Sequence, residues 1–397
     1  MSRPDAAHSA IRRGLAVCAL LLTGACAQHE AFPPPEPQAG FKAETASFDS
    51  LPGWETDAVE HALPALRRSC GAFSRKPPDA AVGAGAFARP AADWQRACAR
   101  LPETADAAAL RAALREAFIP YRVTAADGAD EGLFTGYYEA ELSGSMFSSP
   151  YFPYPVYGRP IDLVERVQDG RKLTGRLKDG RVAPYPARAE IESGAIAKVA
   201  PVLFWVDDLV DLHVAQIQGS SRVLLPDGRR FRIGYAGNNG RPFKGLGRIL
   251  LDARLIEPGK ASMPEIRAWL HAYPRQAERL MQENPRFIFF RLIDGEGPVG
   301  ALGVPLTPMR SLAVDPAVVP LGAPVWLDSV DPDGKPLTRL MVAQDIGSAI
   351  KGAVRGDFFW GSGEPALAKA GRMKSPGRYF VLIPAAAPVF ADAAPAS

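Results

Sequence analysis

The sequence predicts a mainly β protein that begins with helices, and three observations carry that prediction. Proline and glycine are abundant, 38 and 37 of 397 residues, which favours turns and short strands over long helices. Between residues 51 and 135 apolar positions recur every three to four residues, the helical period. From "GLFTGYYEAELSGS" onward the period changes to short β-type runs broken by Pro and Gly. With 47% apolar residues the chain can bury two cores, or one elaborated core.

Taken in order, the N-terminus reads as an export signal: Arg12 and Arg13 precede the apolar run "GLAVCALLLTGA", which is too short to span a bilayer. Two processing patterns overlap at its end. "LTGAC" resembles a lipobox with Cys26 as the lipidated residue, although Thr23 stands where a branched aliphatic is usual. Ala25 and Ala27 instead form a small-x-small site for ordinary cleavage before Gln28. The signal is assigned to residues 1–26, and the proline-rich stretch 27–50 reads as a flexible tether. Removing residues 1–25 takes away Arg3, Arg12, Arg13 and Asp5 and leaves a net charge of +1, which gives no footing for nucleic acid or another polyanion.

"WETDAVEHALPALRRSC", "PAADWQRACARL" and "TADAAALRAALREAFIPYRV" are the expected helices. Cys70 and Cys98 fall in the first two; in an oxidising compartment an even pair is expected as a disulfide, with two free buried thiols as the alternative. From Gly132 to about Arg248 short β-type runs are expected, including "PVLFWVDDLVDLHVAQIQGSSRVLLPDGRRFRIGYAG", in which Asp227-Gly228 marks a hairpin turn. "SMPEIRAWLHAYPRQAERLMQENP" is a helix pair opened by a Ser262–Glu265 capping box. A second β segment runs from Phe287 to about Pro384, with a helix at "EPALAKAGRM"; no internal repeat is present.

Composition excludes much chemistry. After the leader, only His29, His61, His213 and His271 remain, far apart, and H-E-x-x-H, C-x-x-C, G-x-S-x-G and phosphate-loop patterns are all missing. No metal and no cofactor is therefore expected. What remains is carboxylic acid chemistry. In "AQDIGSAIKGAVRGDFFWGSG", Asp345 ends an apolar strand and Asp357 follows a glycine, both where strand meets loop. A carboxyl beside aromatic walls and a second carboxylate keeps its proton toward neutral pH, as a general acid for a glycosidic oxygen requires. Asp315 in "AVDP" reads as a turn former, and Gln216, Gln218, Ser220, Ser221, Asn238 and Asn239 as hydrogen-bonding candidates for a polar ligand.

Six blocks in order, "FTGYYEAEL", "VAQIQGSSRVLLPDG", "GYAGNNGRPFKGLGRIL", "NPRFIFFR", "VPLTPMRSLAVDPAVVPLGAPVWL" and "AQDIGSAIKGAVRGDFFWGSG", resemble the membrane-bound lytic murein transglycosylase A family over about residues 60–385. The last two resemble its three-aspartate domain. The resemblance implies a double-psi β-barrel domain from residues 51–135 and 287–385, a smaller β domain inserted at 136–286, a groove between them, and a tail at 386–397. It implies cleavage of the β-1,4 bond between N-acetylmuramic acid and N-acetylglucosamine without water, leaving 1,6-anhydromuramic ends. Asp357 matches the catalytic acid, Asp345 its neighbour that holds the acid's pKa up or binds the sugar, and Asp315 a supporting residue. Tyr137, Tyr138, Gln218, Gly219, Ser220, Tyr235 and Asn239 would line the glycan groove. The expected ligand is the peptidoglycan glycan strand, bound by a monomer on the periplasmic face of the outer membrane, or free in the periplasm, with membrane contact through a lipid anchor only; cell-wall synthesis or division proteins are candidate recruiters. A muramidase-type hydrolase, with Asp345 activating water, and a non-catalytic glycan-binding barrel are the rival readings.

Overall fold

The computed structural model of the protein describes residues 40–168, 170–295 and 297–385. Cys26 and the leader lie outside the described residues. The N-terminal part runs β1 (Phe41–Thr45), α1 (Leu63–Ser74), β2 (Ala81–Val82), β3 (Arg89–Pro90), α2 (Ala91–Cys98), α3 (Ala107–Ala117) and β4 (Phe118–Ala125). Residues 41–50, expected within the tether, are ordered: β1 pairs along β4 and Phe41 packs on Phe87 at 5.4 Å. The first helix starts only at Leu63, because Pro64 fits the opening turn of a helix and not its interior. The third ends at Ala117, where "FIPYRVTA" leaves the helical period and becomes β4. Cys70 and Cys98 form a disulfide that ties α1 to α2, with α-carbons 5.6 Å apart.

The middle of the chain runs β5 (Gly132–Ser145), β6 (Tyr154–Tyr157), β7 (Val164–Gln168), β8 (Arg171–Lys178), β9 (Arg181–Pro184), α4 (Arg188–Glu192), β10 (Val202–Val206), α5 (Leu209–Gln218), β11 (Ser220–Leu224), β12 (Arg230–Asn238), α6 (Leu246–Asp252), α7 (Met263–Ala272), α8 (Pro274–Gln282) and β13 (Ile288–Ile293). The hairpin turn at Asp227-Gly228 and the Ser262–Glu265 cap are both formed. "LVDLHVAQIQ", expected as strand, is α5. Asp208 caps its start by accepting the Asp211 N–H at 2.8 Å, and six of its ten residues are buried, so it shows none of the one-sided pattern by which an amphipathic helix is read. The C-terminal part supplies β14 (Ser311–Val314), β15 (Pro324–Val330), β16 (Pro336–Asp345), β17 (Arg355–Ser362), α9 (Glu364–Ala370) and β18 (Lys374–Pro384).

Thirteen strands join one sheet. A second pairing of β5, with β18, closes β18, β15, β16, β14, β17 and β5 into a six-stranded ring. One apolar cluster fills this half; it includes Trp54 packed edge-on to Trp326 at 5.0 Å, with the Trp326 indole N–H donated to Pro52 O at 3.0 Å. Buried Asp57 accepts a two-pronged bond from buried Arg310 at 2.7 and 2.9 Å and the Leu340 N–H at 2.9 Å, which latches the N-terminal segment onto the ring. Separate apolar clusters fill the middle segment. β5 belongs to both halves: its first part pairs with β17 and β18, its second with β11 and β10.

Glu139, fully buried on β5, marks the change of partners. It accepts from Arg232 on β12 at 2.6 Å and from the Ser362 hydroxyl on β17 at 2.8 Å, so one carboxylate clasps both halves. A buried charge stripped of its partner is costly. Glu139→Ala should therefore destabilise the protein by about 3–5 kcal/mol, seen as a lower urea midpoint; an unchanged midpoint would show that the clasp carries no stability.

Candidate active site

Strand register places the two acids. Ala313 on β14 is paired with Asp345 on β16 at one side and with Asp357 on β17 at the other. Registered neighbours project from the same face of a sheet, so both carboxyls stand on one face with a methyl between them, their α-carbons about 9–10 Å apart at two strand spacings. Thr135 on β5 is the next partner of Asp357, and Tyr137 pairs with Phe359 two residues on. Tyr137, Phe359, Ala313 and Leu306 pack as a small apolar cluster beside the acids, the Tyr137 and Phe359 rings 5.1 Å apart.

Each acid has its own support. Asp345 accepts the backbone N–H groups of Ala301 and Ile346, both at 2.9 Å. Asp357 accepts the Thr135 hydroxyl at 2.6 Å, and Thr135 in turn accepts from Arg355 at 2.9 Å. Burial pushes both carboxyls up to about 6. For Asp357, desolvation is the largest cause; the Thr135 bond and the Arg355 charge oppose it, and the Asp345 charge adds the smallest push. The neighbouring acid thus plays a smaller part in holding the proton than burial does. Burial and the two acids also raise the Tyr137 phenol well above its ordinary value; its buried hydroxyl lies near Asp345 but outside good hydrogen-bond geometry with any described protein group.

Both acids open into a groove of about 840 Å³ that runs between the ring and the middle segment. Gln218, Gly219, Ser220 and Tyr235 line it, Tyr235 being 46% exposed. Gln218 also fixes the wall, accepting the Tyr138 N–H at 3.0 Å. Three expected residues do not line it. Tyr137 is buried in the small apolar cluster beside the acids. Tyr138 lies in the apolar cluster of the middle segment. Asn239 is fully buried and spends its amide on backbone, donating to Pro186 O and Pro285 O and accepting from Phe287 N, so it staples three loops together. Asp315 is buried away from the acids and accepts the Ala317 and Gly352 N–H groups, which anchors the segment between the two catalytic candidates.

Residue-by-residue reading missed Thr135, Arg355, Arg291 and the segment 298–306. Thr135 and Arg355 are ordinary strand residues in sequence, and only register brings them to Asp357. Gln216, noted as polar, is 4% exposed in the groove wall with an amide oxygen that has no partner among the described residues. Among the described residues, Asp208, Asp211 and His271 form a compact group of metal-type ligands, but Asp208 serves as the cap of α5 and Asp211 is paired with Arg267.

The model of the MltA specific insert domain matches residues 133–291, and that of the 3D domain residues 310–383. Membrane-bound lytic murein transglycosylase A of Escherichia coli (strain K12) is 31% identical over 270 residues, 66% of this chain and 68% of that protein. The protein of the same name from Vibrio cholerae is 31% identical over 258 residues, and the match spans 65% of its length. Among solved structures, MltA from Neisseria gonorrhoeae is 31% identical with a TM-score of 0.71, covering 89% of this chain and 98% of that one. A membrane-bound lytic murein transglycosylase from Agrobacterium tumefaciens is 31% identical with a TM-score of 0.77, covering 86% and 97%. With the two domain models matched in order and relatives at this identity over most of their length, the chain belongs to the membrane-bound lytic murein transglycosylase A family.

Proposed function

We propose that the protein is a peptidoglycan lytic transglycosylase with Asp357 as its single catalytic acid. The observation that carries this reading is the pair of desolvated carboxyls flanking Ala313 in a groove of about 840 Å³. An E. coli MltA structure, 25% identical with a TM-score of 0.61, holds chitohexaose, a glycan of this kind. The protonated Asp357 donates its proton to the glycosidic oxygen, the bond to the anomeric carbon breaks, and the released sugar leaves with a free hydroxyl. The muramic carbon-6 hydroxyl then attacks that carbon and gives its proton to the Asp357 carboxylate. One bond is broken, one intramolecular ether is formed, and no water is consumed.

In this reading Asp345, braced by two backbone N–H groups, orients the sugar and shapes the site, while Gln218, Gly219, Ser220 and Tyr235 form the walls and Tyr137 packs beside the acids. Tyr138, Asn239 and Asp315 support from behind. The closed ring is assigned as a double-psi barrel of residues 51–135 and 287–385, with 136–286 inserted. Among the described residues no helix is long and apolar enough to cross a membrane. Attachment to the periplasmic face of the outer membrane through lipidated Cys26 is the location we assign, in keeping with the membrane-bound naming of the relatives.

Mass spectrometry of digested peptidoglycan tests the reaction. Wild type should give 1,6-anhydro ends and Asp357→Asn should lose at least about 10²–10⁴-fold in rate, the contribution of a positioned acid. Reducing muramic ends instead would make the protein a hydrolase.

The pH profile tests the acid. Because Asp357 must start protonated, kcat/KM should fall as pH rises through about 6. Thr135→Val removes a bond that favours the carboxylate and should move this limb upward; Asp345→Asn removes the weakest of the upward pushes and should move it slightly downward. An identical limb in all three proteins would mean that another group titrates. Stability follows the same proton: a folded value above the unfolded 3.8 gives a contribution present below about pH 4 and lost as pH rises through about 6. Asp357→Asn should thus melt a few degrees higher than wild type at pH 7.5 and equally at pH 3.5, by differential scanning calorimetry.

A further inference from the structure

The groove carries basic groups that the reaction above does not use. Among the described residues four cations line it, Arg188, Arg286, Arg291 and Lys351, and three of them are engaged elsewhere. Arg188 is buried and fully committed, donating to Asn284 O and Arg286 O and pairing with Glu192 at 3.1 Å. Arg286 donates to Arg241 O at 3.0 Å. Lys351 leans toward buried Asp315 at 4.0 Å. Arg291 is different: it is exposed, its recorded bond is a single long one from Nε to Tyr235 O at 3.3 Å, and it has no carboxylate partner among the described residues.

Its position is set by the sheet. Arg291 on β13 pairs with Gly234 on β12, which pairs with Ser220 on β11, so Ser220 and Arg291 stand in one row on the groove face, with the Ile293 side chain leaning over Gly234 between them. Arg291 lines the groove and is exposed, so its remaining guanidinium donors are available to a ligand bound there. A guanidinium is a planar fork matched to a carboxylate, and such charge-assisted pairs are among the stronger contacts available to a ligand.

Resting on the reading of the substrate as peptidoglycan, we propose that Arg291 is a specificity residue that binds a carboxylate borne by the glycan strand, so that the groove selects acidic over neutral strands. Two sources supply that chemistry: the lactyl group of a muramic residue stripped of its peptide, and the carboxylates of an attached stem peptide. Neutral chitin-type strands supply neither.

Binding to the Asp357→Asn protein, measured by isothermal titration calorimetry, reads this without turnover. Three probes are used: peptide-stripped glycan strands, strands retaining stem peptides, and stripped strands whose carboxylates have been converted to amides. Acidic strands should bind about tenfold more tightly than amidated ones. In the Asp357→Asn, Arg291→Gln double variant that ratio should collapse toward one, with Arg291→Lys retaining part of it. Preference for stripped strands assigns the lactyl carboxylate, and preference for peptide-bearing strands alone assigns the stem; either supports the proposal. Equal binding of all three probes, or a loss in the Gln variant as large on amidated strands as on acidic ones, overturns it. Failure of the transglycosylase reading would register separately, as absence of anhydro ends from the wild type.

Discussion

The backbone pairing of β5 is the constraint on which the rest of the structure depends. Fourteen residues serve as a wall of the closed ring and then as a strand of the middle segment. Because side chains alternate along it, Thr135 and Tyr137 reach the acids while Glu139, one step further on the same face, clasps Arg232 and Ser362. A one-residue slip would turn all three away from their partners at once. The groove is thus where it is because one strand cannot change sheets without leaving a seam.

Much of this was legible in the sequence, for physical reasons that differ by residue. Asp345 and Asp357 stood out through their place in the last of six ordered blocks, since an aspartate beside a glycine is by itself most often a turn former or cap. The Asp227-Gly228 turn and the Ser262 cap are local chemistry and are formed as read. α5 was not legible because burial on nearly every side erases the helical stripe. Asn239 and Tyr138 were misplaced because an amide or a phenol looks the same in sequence whether it faces sugar or backbone; only the Pro186, Pro285 and Phe287 partners decide it. Thr135 and Arg291 could not be found from spacing at all, since register across 222 residues brings the first to Asp357 and pairing with β12 brings the second to the groove wall.

The electrostatics of the site divide the labour between its two carboxyls. Asp345 is held by two backbone donors and keeps its place in either protonation state. Asp357 has one hydroxyl donor and is otherwise desolvated, so its proton is easily given and taken back. Arg355 opposes this from behind: it donates to Thr135, and its charge favours the Asp357 carboxylate.

The segment between the two acids is pinned at three points: by β16 at one end, by β17 at the other, and in its middle by Asp315, which holds the Gly352 N–H. Its remaining residues form the lip of the groove, Lys351 among them. Insertions or deletions in this lip leave the paired strands, and hence the proton chemistry, untouched. The fold therefore separates the depth and charge of the groove entrance, which the lip carries, from the placement of the two carboxyls, which the paired strands carry.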